Sequence, residues 1–151
     1  MIAISAIRNV ALVGPQSSGK TVLTEDILFL GKALKTLSAM GGRKCPLDEE
    51  PEEIERGLTL TPQVYTFNHL DHEFTFIDTP GYNNFLADTR FCLRASDAAV
   101  LVLSATSNIK DLARDSWSAI NEFELPRFIF LNMMDKEKAH FNEALHAIEK
   151  G

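Results

Sequence analysis

Apolar residues fall into two rhythms along this chain, short unbroken runs and repeats at helical spacing, and the two alternate. "AIRNVALVG" is mostly apolar and ends at a glycine, the pattern of a strand buried on both faces of a parallel sheet. Beyond the next loop, Val22, Leu23, Ile27, Leu28, Leu30, Leu34 and Leu37 recur at helical spacing and predict a long amphipathic helix. "QVYTFNHLDHEFTFID" divides into two β-rich runs about "NHLDH", which predicts an antiparallel hairpin. "DAAVLVLSA" and "PRFIFLN" are two more candidates for buried strands, with a helix between them around Ile109, Leu112, Ile120 and Phe123. A last helix is expected in "KEKAHFNEALHAIEKG". Alternation of about five strands with about four helices predicts an α/β fold. One segment, "MGGRKCPLDEEPEEIERGLTLTP", breaks every period with glycines, prolines and acids, and reads as a mobile surface loop long enough to carry function.

Composition narrows the classes. A chain of 151 residues, 45% hydrophobic and 24% charged, suits one domain, 1–151, better than two. Its net charge of −6 argues against a broad basic surface, so sequence-specific nucleic-acid binding is not expected. Cys45 and Cys92 lack the paired spacing of a zinc site and read as ordinary thiols in a reducing compartment. No apolar run approaches the roughly 18 residues of a membrane span. The opening "MIAISAIRNVALVG" is interrupted by Arg8 and Asn9 and leads straight into the glycine loop, so it reads as a strand, not a signal peptide, and a cytoplasmic location is expected. His69, His72, His140 and His146 read as surface or packing residues, and Trp117 as a partly buried anchor.

Candidate chemistry begins at "GPQSSGKT". Gly14, Gly19, Lys20 and Thr21 fit the pattern G-x-x-x-x-G-K-[ST] between an expected strand and an expected helix, the context that pattern requires. The candidate nucleotide-binding loop runs from Gly14 through Pro15, Gln16, Ser17, Ser18 and Gly19, and its N–H groups, which Pro15 lacks, converge with the positive end of the helix dipole on one anion, which favours a phosphate chain. Lys20 then reaches the β- and γ-phosphates, and the Thr21 hydroxyl coordinates Mg²⁺. In "FTFIDTPG", Asp78 ends a strand where a carboxylate can hold the magnesium shell, and Gly81 lets a backbone amide approach the γ-phosphate. "FLNMMD" follows another strand. Its Asp135 can accept two hydrogen bonds from guanine, whereas adenine has no matching pair of donors. Alone the tetrapeptide is weak evidence, and its order after the two phosphate elements strengthens it.

Taken together, "GPQSSGKT", "ERGLTL", "DTPG" and "NMMD" stand in the order of the GTPase signature elements, and the chain resembles the N-terminal GTP-binding domain of elongation factor G and its paralogues. The resemblance implies a three-layer P-loop NTPase fold, a mostly parallel sheet with one antiparallel hairpin strand, GTP/GDP and Mg²⁺ as ligands, and the ribosome as partner through a longer parent protein. By the family pattern "PEEIERGLTL" is the first switch, Thr59 its magnesium-sensing threonine, and Asn132, Met133 and Asp135 the guanine-reading positions. Thr21, Thr59 and Asp78 would be the metal-side oxygens, and Lys20, Thr59, Gly81 and Tyr82 the catalytic set.

Departures from that pattern bear on activity. Tyr82 stands where translational members have a water-orienting His, and a phenol is a poor base at neutral pH although it can position water. Met133 replaces a Lys whose stem lies along the base; it keeps the apolar contact and loses the ammonium, which predicts weakened guanine binding. Ser17 stands where many members carry Asp, which bears on a cation-assisted mechanism. The family domain also continues into a further strand and helix that this chain lacks, so the reading is of a domain truncated at its C-terminal end, a fragment in preference to a short gene product. The outer edge of residues 127–131 is then expected to be unpaired and open to self-association. Two functions remain open at this point, a slow Mg²⁺-dependent GTPase and a non-hydrolysing guanine-nucleotide-binding interaction module. A P-loop ATPase or kinase stands third, with Asp135 against it.

Overall fold

The computed structural model of the chain describes residues 3–35, 59, 61–106 and 109–150. Five strands, β1 (Ile7–Val13), β2 (Gln63–His69), β3 (His72–Asp78), β4 (Ala98–Ser104) and β5 (Arg127–Asn132), form one sheet in the order β2-β3-β1-β4-β5. Strands β3, β1, β4 and β5 run parallel to one another, and β2 is antiparallel to β3, with which it pairs. Leu70 and Asp71 close that hairpin with φ of 47° and 62°, the left-handed pair of a two-residue turn that matches the twist of the strands it joins.

Among the described residues four α-helices flank the sheet: α1 (Lys20–Leu30), α2 (Leu86–Arg94), α3 (Ile109–Glu122) and α4 (Phe141–Glu149). Alternate residues of the central strands serve opposite faces. Ala11 and Val13 of β1, with Ala99, Leu101 and Leu103 of β4, pack with Leu93 of α2, Ala119 and Ile120 of α3, and Ala144 of α4. Leu12, Val102 and Phe76 point the other way, where Leu23 and Ile27 of α1 pack with Val10, Phe67, Phe74 and Val100. The result is the three-layer α/β arrangement implied by the resemblance, with α1, among the described residues, the one helix on its side of the sheet.

Two expectations are corrected. Leu34 does not continue α1, which ends at Leu30: Lys32 turns left-handed at φ 61°, and the Ala33 amide donates back to the Leu28 carbonyl at 2.8 Å, a closing motif that terminates a helix. Leu30 itself is 76% exposed. "PRFIFLN" forms the predicted strand but is not buried, because it is the outermost strand of the sheet. Phe128 and Phe130 register opposite Val100 and Val102 on the α1 side, beyond the reach of that helix, and Phe128 is 70% exposed. Composition alone could not distinguish a strand buried on both faces from an apolar edge strand. Among the described residues nothing pairs with the outer edge of β5. Trp117 is half-exposed, with the Arg127 guanidinium 4.7 Å above its ring. The expected surface loop, residues 40–62, lies outside the described residues apart from Thr59, Thr61 and Pro62, and Leu37 and Cys45 lie outside them too.

Candidate nucleotide-binding site

Parallel strands deliver their C-terminal ends to one edge of the sheet, and in open α/β sheets that edge is where ligands bind. Register makes this concrete: Leu12 of β1 lies opposite Asp78 of β3, and Ser104 of β4 lies opposite Asn132 of β5. The phosphate loop, "DTPG" and "NMMD" therefore meet although they are far apart in sequence. Between them opens a cleft of about 320 Å³, lined by Gln16, Ser17, Gly19, Lys20, Thr21, Val22, Thr59, Gly81, Tyr82 and Met133.

The phosphate side is tightly built. Gly19 caps α1 in the left-handed region at φ 90°, and a side chain there would run into the Asn132 amide. The buried Lys20 ammonium donates to the carbonyls of Gly14 at 2.9 Å and Pro15 at 3.0 Å. Burial lowers its pKa from 10.5 to about 8, opposed in part by the negative charge of Asp78. A bound phosphate would reverse that penalty by supplying the counter-charge. Gly81 crosses directly over the loop: a Cβ on it would sit 2.6 Å from Lys20 Nζ and 2.7 Å from the Gln16 amide nitrogen. Only a glycine allows the backbone after Pro80 to come this near the phosphate cradle. Thr79 anchors that backbone through its hydroxyl, which donates to the Leu12 carbonyl at 2.7 Å.

Three oxygen groups gather at the mouth of α1. Thr21 Oγ1 donates to Asp78 Oδ2 at 2.6 Å and lies 2.9 Å from Thr59 Oγ1. A carboxylate only accepts, so the single Thr21 proton goes to Asp78 and the Thr59 hydroxyl donates to Thr21. Two hydroxyls and one buried carboxylate within hydrogen-bonding reach form a hard oxygen set of the kind that suits Mg²⁺ alongside phosphate oxygens. The three residues that the sequence nominated for the metal thus meet at one place.

On the base side, Asn132 bridges two segments: its Nδ2 donates to the Ser18 carbonyl at 2.9 Å, and its Oδ1 accepts from the Met133 amide at 2.8 Å. Met133 lines the cleft. Asp135 lies on the loop after β5 at the same edge, with an exposed side chain 3.8 Å from Lys136, and does not line the phosphate cleft. Tyr82 does line it, and its ring packs edge-on against Phe85. Sequence reasoning assigned no role to Ser104, whose hydroxyl contacts Met133 Sδ at 3.3 Å. The available signal was a polar residue ending an otherwise aliphatic strand.

Comparison with known proteins agrees with this geometry. The elongation factor Tu GTP binding domain family matches residues 5–151. This chain belongs to that family. Within it, the chain is 33% identical over 147 residues to the mitochondrial ribosome-releasing factor 2 of Bos taurus, covering 97% of this chain and 19% of that protein. It is 33% identical to elongation factor G 2 of Syntrophus aciditrophicus, covering 91% of this chain and 20% of the relative. The tetracycline resistance protein TetP of Clostridium perfringens is 30% identical, with 95% and 22% covered. A crystal structure of a Thermus thermophilus protein superposes with a TM-score of 0.88 at 29% identity, over 97% of this chain and 22% of that one. The chain is thus a GTP-binding domain of the elongation factor G-like kind, spanning about a fifth of the length of those relatives.

Proposed function

We propose that this domain binds GTP and GDP with Mg²⁺ and hydrolyses GTP to GDP and phosphate, driving a conformational switch linked to the ribosome in a longer protein. The observation that carries the reading is the convergence of the buried Lys20 ammonium, the Gly81 backbone and the Thr21–Thr59–Asp78 oxygens on one cleft. Thr21, Thr59 and Asp78 would hold Mg²⁺, which supplies charge neutralisation on the phosphate oxygens when bound. The chain's own part is positional. Loop amides orient the phosphates, Lys20 balances charge that builds on the bridging and γ-oxygens, and the Gly81 amide donates to the γ-phosphate. Water forms its bond to the γ-phosphorus as the bond to the β,γ-bridging oxygen breaks, and Tyr82 orients that water without serving as its base.

Asn132 and Asp135 read guanine, the latter by turning its exposed carboxylate toward the base. Loss of the γ-phosphate releases Thr59, and this is the switch. The proposed place of action is the compartment that holds the ribosomes: the cytoplasm by the sequence reading, with mitochondria as the second candidate because several relatives carry that word in their names. Among the described residues no helix is long and apolar enough to cross a membrane. The second reading, a guanine-nucleotide-binding module without hydrolysis, is favoured by Tyr82 in the water-facing position.

Binding of labelled GTP, GDP and ATP to the same sample tests the first step. Equal affinity for ATP and GTP would sink the guanine assignment. Single-turnover hydrolysis separates the two readings: the enzyme turns over well below about one GTP per second without an activator, and the module not at all.

A further inference from the structure

The base side of the cleft contains a contact that the nucleotide-binding motifs do not explain. Met133 holds a left-handed backbone at φ 60°, and its amide is tied to Asn132 Oδ1. Its backbone is therefore fixed, while its side chain has three rotatable bonds and would wander if nothing held it. Ser104, buried at the end of β4, holds it. The Thr106 amide donates to Ser104 Oγ at 3.3 Å, and the Thr106 hydroxyl lies 2.9 Å from the same oxygen. With the Thr106 groups as donors, the single Ser104 proton is left for the Met133 sulfur at 3.3 Å. Met133 Cε then lies 3.9 Å from where a Gly19 side chain would begin, so the thioether spans from the end of β4 to the last residue of the phosphate loop.

We propose that Ser104 is a positioning residue for the nucleobase, acting by fixing the Met133 thioether as the surface on which the purine ring stacks. The inference rests on the reading that a purine nucleotide occupies this cleft, and adds a residue outside its motifs. A polarisable sulfur held still against a π face contributes contact that a freely rotating side chain forfeits through lost rotamer entropy. The effect belongs to the base and not to the phosphates, because the Ser104 hydroxyl bonds to Thr106 and Met133, on the side of the cleft away from the Lys20 ammonium and its Gly14 and Pro15 carbonyls.

Titration calorimetry with GDP and with inorganic pyrophosphate, on the full chain and its variants, tests this. Ser104→Ala should weaken GDP binding about three- to tenfold, the range of one lost hydrogen bond, and leave pyrophosphate unchanged. Met133→Leu, which keeps the apolar bulk and removes the acceptor, should weaken GDP by a similar factor. In the Met133→Leu background Ser104→Ala should then add nothing. Equal weakening of GDP and pyrophosphate by Ser104→Ala, or an undiminished Ser104→Ala effect beside Met133→Leu, would overturn the proposal and leave Ser104 a structural residue. Should Ser104→Ala fold poorly, Met133→Leu carries the test alone: unchanged GDP affinity then overturns it. If the unmodified chain bound neither GDP nor pyrophosphate, the nucleotide reading itself would fall, a result distinct from the other outcomes.

Discussion

Raising the pH should weaken nucleotide binding through Lys20 before any other group in the phosphate cradle responds. Lys20 is 6% exposed, its ammonium is bonded to two backbone carbonyls, and burial lowers its pKa to about 8 in the nucleotide-free chain. A phosphate chain against Nζ restores the charged form, so binding takes up a proton wherever free Lys20 is neutral. With a free pKa of about 8, roughly nine-tenths of the lysine is charged near pH 7 and about a quarter near pH 8.5, so the dissociation constant for GDP should rise about fourfold over that interval. Calorimetry in buffers of different ionisation enthalpy should find proton uptake growing toward about three-quarters of a proton per GDP at the upper end. Over that interval guanine keeps its N1 proton and the terminal phosphate of GDP, with a pKa of about 6, is already mostly ionised, so the change reports chiefly the protein. The stability of the free chain runs the other way. The folded pKa lies below 10.5, so the cost of burying the charge, about 3 kcal/mol, is carried in full below pH 8 and relieved as pH rises toward 10.5. Lys20→Arg, which stays charged, should flatten the affinity profile even if it lowers affinity. An unmodified chain whose GDP affinity is flat from pH 7 to about 8.5 would refute the reasoning and mean that Lys20 keeps its charge without phosphate.

Gly81→Ala should lower nucleotide affinity by about 1–3 kcal/mol with little change in the melting temperature, because the added methyl meets Lys20 Nζ and the Gln16 amide and not the core; binding and melting curves on one sample check it. Asp135→Ala should erase most of the preference for GDP over ADP, about 1–3 kcal/mol, while pyrophosphate binding stays unchanged, as competition titrations would show. We expect the exposed apolar edge at residues 127–131 to drive self-association of this chain. Sedimentation velocity should find a concentration-dependent dimer that Phe128→Lys returns to monomer; a monomer at all concentrations would refute it.

Much of this was legible in the linear sequence because it depends on local rules. Period-two and unbroken apolar runs marked all five strands, glycines and a lysine at set spacing marked the phosphate loop between β1 and α1, and the sequence around "NHLDH" marked the hairpin. Those signals arise from side-chain periodicity and from backbone conformations that few residues adopt, both written residue by residue. Other features depended on neighbours distant in sequence. That β5 is an apolar edge strand and not a buried one follows from its place beside β4 at the rim of the sheet and from the cluster under α1 drawing on β1, β2, β3 and β4 and not on β5. α1 stops at Leu30 although the apolar repeat runs on through Leu34, because a left-handed residue at Lys32 closes it, and no local rule forbade continuing. The low pKa of Lys20 needed the folded wall around it, since desolvation is set by everything that excludes water from one atom. Ser104 acquired a partner only when parallel register laid the end of β4 beside the end of β5, twenty-nine residues further along the chain. Sequence thus determined which chemical groups this protein has and the element on which each sits, while tertiary packing decided which of them touch, because distance and dielectric are properties of the folded chain.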